Sequence, residues 1–97
     1  MAKLRSEDVF IIDSFDIYKF RKKYDISQRE LGRILGLGKM TICRYELGAT
    51  PIKSHRVLLW IIINHYDVFI ELAKLAYLRG DISLKRCEQL CKYREVV

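Results

Sequence analysis

The sequence predicts an all-α fold, a bundle of five to six helices, and three observations carry that expectation. Apolar residues return at steps of three and four along most of the chain, the spacing of one helical face. Capping residues, glycines and a single proline cut that pattern into segments of ordinary helix length. No stretch alternates apolar and polar residues about a tight turn, as a strand hairpin would. With 97 residues and 51% hydrophobic content the chain can build one core, and residues 1–97 are read as a single domain.

Asp13, Ser14 and Asp16 offer oxygens to cap a first helix over residues 15–24, whose Ile17, Phe20 and Tyr24 share a face. Residues 9–12, ahead of it, read as a short extended arm. Asp25, Ile26 and Ser27 break the helix, and Ser27 with Glu30 has the form of a capping box that opens a second helix over 28–35. Gly36 closes it in the left-handed conformation that glycine adopts without strain. A third helix over 39–47 carries Met40, Ile42, Tyr45 and Glu46 and stops at Gly48. Thr50 and Pro51, a cap hydroxyl with proline in the first turn, announce a fourth. Its second half, with Val57, Leu58, Trp60, Ile61 and Ile62, is apolar nearly all round, which predicts a central core helix. Asn64 or Asp67 then punctuates, and Val68, Phe69, Leu72, Ala73, Leu75 and Ala76 form a fifth helix closed by Arg79 and Gly80. Ser83 caps a last one over 84–94, with Leu84, Cys87, Leu90 and Cys91 in step.

Composition removes several classes of function. The longest apolar run, residues 57–63, is seven residues, against the roughly 20 of a spanning helix, so no membrane segment is expected. The chain turns acidic at Glu7 and Asp8 before any apolar stretch develops, the wrong order for a secretory signal, and the expected location is cytoplasmic. Three cysteines, Cys43, Cys87 and Cys91, fit reduced thiols rather than a disulfide framework. Neither His55 nor His65 stands at a spacing that completes a zinc set with Cys87 and Cys91, so no metal and no cofactor is expected. No nucleophilic, paired-carboxylate or phosphate-loop pattern is present, and the chain does not read as an enzyme.

The net charge of +6 is concentrated in the middle of the chain. Residues 16–56 hold ten basic and four acidic side chains, while the two flanks nearly cancel, with two against three and six against five. A basic block of this kind suits a surface that docks on phosphates.

That block overlaps a twenty-residue helix-turn-helix spacing over residues 28–47. A pair of helices joined by a tight turn needs a small residue where they cross, and Gly32 stands there. It needs a residue tolerant of positive φ at the turn, Gly36, and apolar inner faces, supplied by Leu31, Leu35, Leu37, Ile42 and Tyr45. Ser27-Gln28-Arg29-Glu30-Leu31-Gly32-Arg33-Ile34-Leu35-Gly36, followed by Thr41-Ile42-Cys43-Arg44-Tyr45-Glu46-Leu47-Gly48, resembles the Xre/Cro family of helix-turn-helix regulators, with its lambda-repressor-like fold. Within it the chain is most similar to the DNA-binding domain of MqsA-type antitoxins, whose segments run like Arg44-Tyr45-Glu46-Leu47-Gly48-Ala49-Thr50-Pro51. The resemblance spans about residues 13–63, the helix-turn-helix core, and leaves 66–97 as a helical extension. The two Cys-x-x-Cys pairs that often precede this domain in that antitoxin family, its zinc-binding part, do not occur in the sequence.

In such a domain the third helix lies in the major groove, with Lys39, Met40, Thr41, Cys43 and Arg44 facing the DNA. The Arg44 guanidinium can take O6 and N7 of one guanine together, or a phosphate. Lys39 and Thr41 suit the sugar–phosphate backbone, and Met40 either a thymine methyl or the cover of its own helix. Gln28 can donate to a phosphate at the positive end of the second helix, as the resemblance also implies. Arg29, Arg33, Lys53 and Arg56 border the same face. The resemblance further implies that Arg21 pairs with Glu46 to lock the scaffold, while Tyr45 and Trp60 read as core.

The expected function is a sequence-specific DNA-binding transcriptional regulator, a repressor, to which the antitoxin resemblance adds autoregulation of a toxin–antitoxin operon. The alternative is a protein-binding module, in which the apolar 68–90 region neutralises a toxin or another partner and DNA binding is secondary. The expected partners are double-stranded DNA bearing a palindromic operator, a protein toxin, and a second copy of the chain. That homodimer would assemble through residues 66–97, by Val68, Phe69, Leu72, Leu75, Ala76, Leu78, Leu84, Leu90 and the two thiols.

Overall fold

The computed structural model describes residues 11–95. Its six helices are α1 (Ser14–Lys23), α2 (Gln28–Leu35), α3 (Lys39–Glu46), α4 (Lys53–Asn64), α5 (Tyr66–Leu78) and α6 (Leu84–Glu95). Among the described residues there is no strand, and no helix is long and apolar enough to cross a membrane. Of the extended arm expected over 9–12, residues 9 and 10 lie outside the described residues, and 11 and 12 are irregular.

Local signals place α1 to α3 within a residue or so of expectation. Asp13 accepts from the Asp16 amide at 2.8 Å and Asp16 returns the bond to the Asp13 amide at 3.0 Å, a complete capping box. Ser27 caps α2 by accepting from the Glu30 amide at 3.0 Å. In place of the return half of the expected box, the Glu30 carboxylate takes the guanidinium of Arg86 in α6 at 2.7 to 2.9 Å, a charged donor that outcompetes a backbone amide. Gly36 ends α2 at φ 74. A Cβ on Gly32 would stand 2.5 Å from the Leu37 carbonyl oxygen, so the turn closes only over glycine.

The fourth helix departs from expectation. It begins at Lys53, with Ile52 rather than Thr50 at the cap position. Pro51 lies in the loop, half-buried in the wall of a cavity of about 320 Å³ shared with Ile12, Ile17 and Tyr45. Nor is α4 central: it packs chiefly on α1 and α5, with Leu59 and Ile62 buried and Val57, Leu58 and Ile61 half-buried. Trp60, expected in the core, is half-buried with its ring edge-on to His65 at 5.9 Å. The break before α5 falls at His65, φ −136 and ψ 85, after Asn64 has donated to the Trp60 carbonyl at 2.9 Å. Ser83 caps α6 as expected, accepting from the Arg86 amide at 3.1 Å.

One core draws on every helix, from Ile17 and Phe20 through Leu31, Ile34, Ile42, Leu59 and Ile62 to Phe69, Ile70, Ala73, Ala76 and Leu90. Each large member contributes about 1.5–3 kcal/mol by leaving water. An aromatic cluster closes the side formed by α1, α5 and α6. Phe20 meets Phe69 edge-on at 5.1 Å, Tyr24 stacks on Tyr66 at 4.1 Å, and Tyr93 meets Tyr24 edge-on at 5.3 Å. The Tyr66 hydroxyl donates to the Leu90 carbonyl at 2.8 Å, and burial raises its pKa above the usual tyrosine value. Phe69, Ala76, Cys87 and Leu90, named for a dimer surface, are thus buried within the chain's own core, whereas Leu75, Leu78 and Leu84 are 51%, 76% and 50% exposed.

Candidate nucleic-acid interface

The α2–α3 pair packs across the Gly32 crossing, and α3 is then fixed from two sides. Arg21 of α1 reaches Glu46 at the end of α3, Nε to Oε2 at 2.6 Å and Nη2 to Oε1 at 2.7 Å, with side chains only 10% and 8% exposed. Its Nη1 donates to the Ile26 carbonyl at 3.0 Å. The hydrogen bond to Glu46, more than the charge attraction between them, raises the Arg21 pKa against the opposing effect of burial. From the other side the Tyr45 hydroxyl and His55 Nδ1, 2.6 Å apart, tie α3 to α4. The expected scaffold roles of Arg21, Glu46 and Tyr45 agree with this geometry.

Ile42 and Tyr45 face the core, so the opposite ridge of α3 carries Met40, Arg44 and Leu47, all exposed, with Thr41 and Cys43 half-buried on its flanks. Leu47 was not singled out from the sequence, although it stands two turns on from Met40 along that ridge. Gln28 and Arg29 open α2, Gln28 half-buried and Arg29 exposed, and Lys39 and Lys53 are the exposed first residues of α3 and α4. Neither α3 nor α4 has an acidic residue in its first turn or a side-chain cap, so both positive helix ends remain open to an anion. In α2 the Glu30 charge is offset by Arg86.

Among the described residues, Arg29, Arg33, Lys39, Arg44 and Lys53 enter no ion pair. Arg56, expected beside them, is half-buried against the cavity lined by Tyr45 and Thr50, with its Nε enclosed and without a hydrogen-bond partner. Gln28, Arg29, Lys39, Met40, Thr41, Cys43 and Arg44 therefore lie on two helices in contact, and Lys53 lies on a third that is tied to α3 through Tyr45 and His55. Such a surface offers cationic and amide donors to repeated anionic groups.

Residues 2–73 match a family described as the antitoxin component of a bacterial toxin–antitoxin system, MqsA. The chain belongs to the MqsA antitoxin family. No curated protein and no solved structure matches it. The stretch matched to MqsA contains α1 to α4, most of α5 and every residue of the candidate interface, and it stops before Arg79, Arg86 and α6. Membership in an antitoxin family, together with a small all-helical fold, fits a protein that works by binding rather than by catalysis. Arg86 escaped the sequence reading because no spacing rule joins Glu30 to a residue 56 positions later.

Proposed function

We propose that this MqsA-family protein is a sequence-specific DNA-binding repressor that acts in the cytoplasm on the operon of its own toxin. The observation that carries the reading is the set of unpaired cations, Arg29, Lys39, Arg44 and Lys53, around an α3 ridge that the scaffold holds rigid. In this reading α3 enters the major groove, Arg44 takes a guanine edge, Met40 meets a thymine methyl and Cys43 flanks them. Gln28, Arg29, Lys39, Thr41 and Lys53 hold phosphates. Two copies, joined through Leu75, Leu78 and Leu84, would set their α3 helices about 34 Å apart on a palindrome.

Fluorescence anisotropy with duplex DNA at several salt concentrations tests this. About five to eight phosphate contacts give a slope of log affinity against log salt near −5 to −7, and a flat response removes the DNA reading. Arg44→Ala costs about 1–3 kcal/mol on the preferred sequence and relaxes discrimination, whereas Gln28→Ala weakens all sequences alike. The same titration counts chains, and one chain per palindrome removes the dimer. The three exposed leucines also favour a second reading, in which the α5–α6 region holds the toxin and DNA binding is secondary. That reading alone would survive a flat salt response.

A further inference from the structure

The short connection from α1 to α2 decides where Gln28 stands, and it is gripped from both sides. Asp25 is the one non-glycine residue at positive φ among the described residues, at 53°, a left-handed turn position that aspartate accepts more readily than most L residues. Arg86 of α6 donates from Nη2 to the Asp25 carbonyl at 2.5 Å, while Arg21 donates to the next carbonyl, that of Ile26, at 3.0 Å. The same Nη2, at 2.7 Å, and Nε, at 2.8 and 2.9 Å, embrace the Glu30 carboxylate. Both side chains are about four-fifths shielded, at 19% and 22% exposure, so salt screens the pair weakly. The hydrogen bond to Glu30 raises the Arg86 pKa, and the cation persists at every ordinary pH. At the far end of α2, Arg79 donates to the Arg33 carbonyl at 3.1 Å and is itself held by Asp81 at 2.9 Å.

The α6 helix is also docked by contacts other than this clasp, with Leu90 and Cys87 buried and Tyr66 bonding the Leu90 carbonyl. The clasp itself acts on α2. We propose that Arg86 is a positioning residue for the α2 N-terminus, and that through Glu30 and the Asp25 carbonyl it sets the angle at which Gln28 and Arg29 meet phosphate. The inference rests on the DNA-binding reading, and it makes α6, which lies outside the family match, a working part of that interface. A hydrogen bond to phosphate tolerates only a few tenths of an ångström before it weakens, so a small rotation of α2 is felt at Gln28.

The test uses the full chain and a fluorescein-labelled duplex enriched by the wild-type protein from a random pool. Gln28→Ala, Glu30→Ala and their combination are compared well below their melting midpoints, which are measured alongside. Glu30→Ala makes the protein more positive, so overall electrostatics predicts tighter binding, whereas loss of positioning predicts binding weaker by about 5- to 20-fold. In the combined variant Gln28→Ala then costs little more, because a misaimed Gln28 has nothing left to lose. Arg86→Ala shows the same weakening and the same non-additivity. Tighter or unchanged binding by Glu30→Ala, or full additivity with Gln28→Ala, overturns the proposal while leaving DNA binding intact. A wild-type protein that enriches no duplex overturns both.

Discussion

Among the described residues, Arg29, Arg33, Lys39, Arg44 and Lys53, in the stretch from α2 to α4, enter no ion pair, whereas in and between α5 and α6 only Lys85 and Lys92 enter none, and Lys74, Arg79 and Arg86 are each held by a carboxylate, of Glu71, Asp81 and Glu30. The same residue types therefore do different work in the two regions. An unpaired surface cation carries loosely held counterions, and releasing them to a phosphate surface is favourable. A paired and half-buried one such as Arg86 is already committed, and breaking it leaves its partner uncompensated. Excess charge alone does not mark an interface: what matters is how much of that charge the fold has left unmatched.

Substitutions at three places would break or sharpen this contrast. The largest effect is expected at the one deeply buried pair inside the basic region. Arg21→Ala or Glu46→Ala leaves a lone charge at a site about 90% shielded and lowers stability by about 3–5 kcal/mol. Thermal melts measure this, and an unchanged midpoint with lost DNA binding would move both residues from the scaffold to the interface. Gly32→Ala comes next. Its Cβ meets the backbone oxygen of Leu37 at 2.5 Å, which no side-chain rotation relieves, so despite alanine's better helix propensity a loss of about 1–3 kcal/mol is expected in denaturant unfolding. A stabilised variant would mean that the α2–α3 crossing is looser than described.

The smallest effect lies in the C-terminal region and depends on pH. Burial raises the Tyr66 pKa above its usual value of 10.0, so the folded state favours the neutral phenol. The sign follows from linkage: this contribution is intact below pH 10 and is lost as the pH climbs from there toward the raised value. Melts across that range should show stability falling. In Tyr66→Phe, which also loses the bond to Leu90 at a cost of about 1 kcal/mol, the alkaline fall should be shallower. An equally steep fall in both proteins would assign the alkaline sensitivity to another group.

Legibility in the sequence follows the same division. The caps at Asp13 and Ser27, the crossing at Gly32 and the turn at Gly36 are set by residues within six positions of one another, and each stands where the sequence places it. The Arg21–Glu46 pair spans 25 residues and was reached through family resemblance rather than spacing. Pro51 misled because proline at a first helical turn is a local preference, and here the residue stands in the loop against the cavity instead. Glu30 misled because the local code offered it the Ser27 amide, and the tertiary fold offered it a guanidinium. The α4 face read as central because its residues are apolar, but hydrophobicity does not say how many neighbours a helix has. For the candidate interface, residue types were legible and exposure was not, as Leu47 and Arg56 illustrate.

Chains are made from the N-terminus, and the clasp on α2 closes late. At ribosomal speeds of about 5–20 residues per second, Arg86 is added roughly 3–10 s after Glu30, from which 56 positions separate it. During that interval α2 and α3 can already close over Gly32, and the Glu30 carboxylate is free to fold back on the Ser27 amide as the local code prefers. Until Arg86 has been made, the Ser27 amide is thus the nearer partner within reach of Glu30. Closure of the clasp on the α2 entry turn in this sense waits for α6, whose Arg86 claims Glu30.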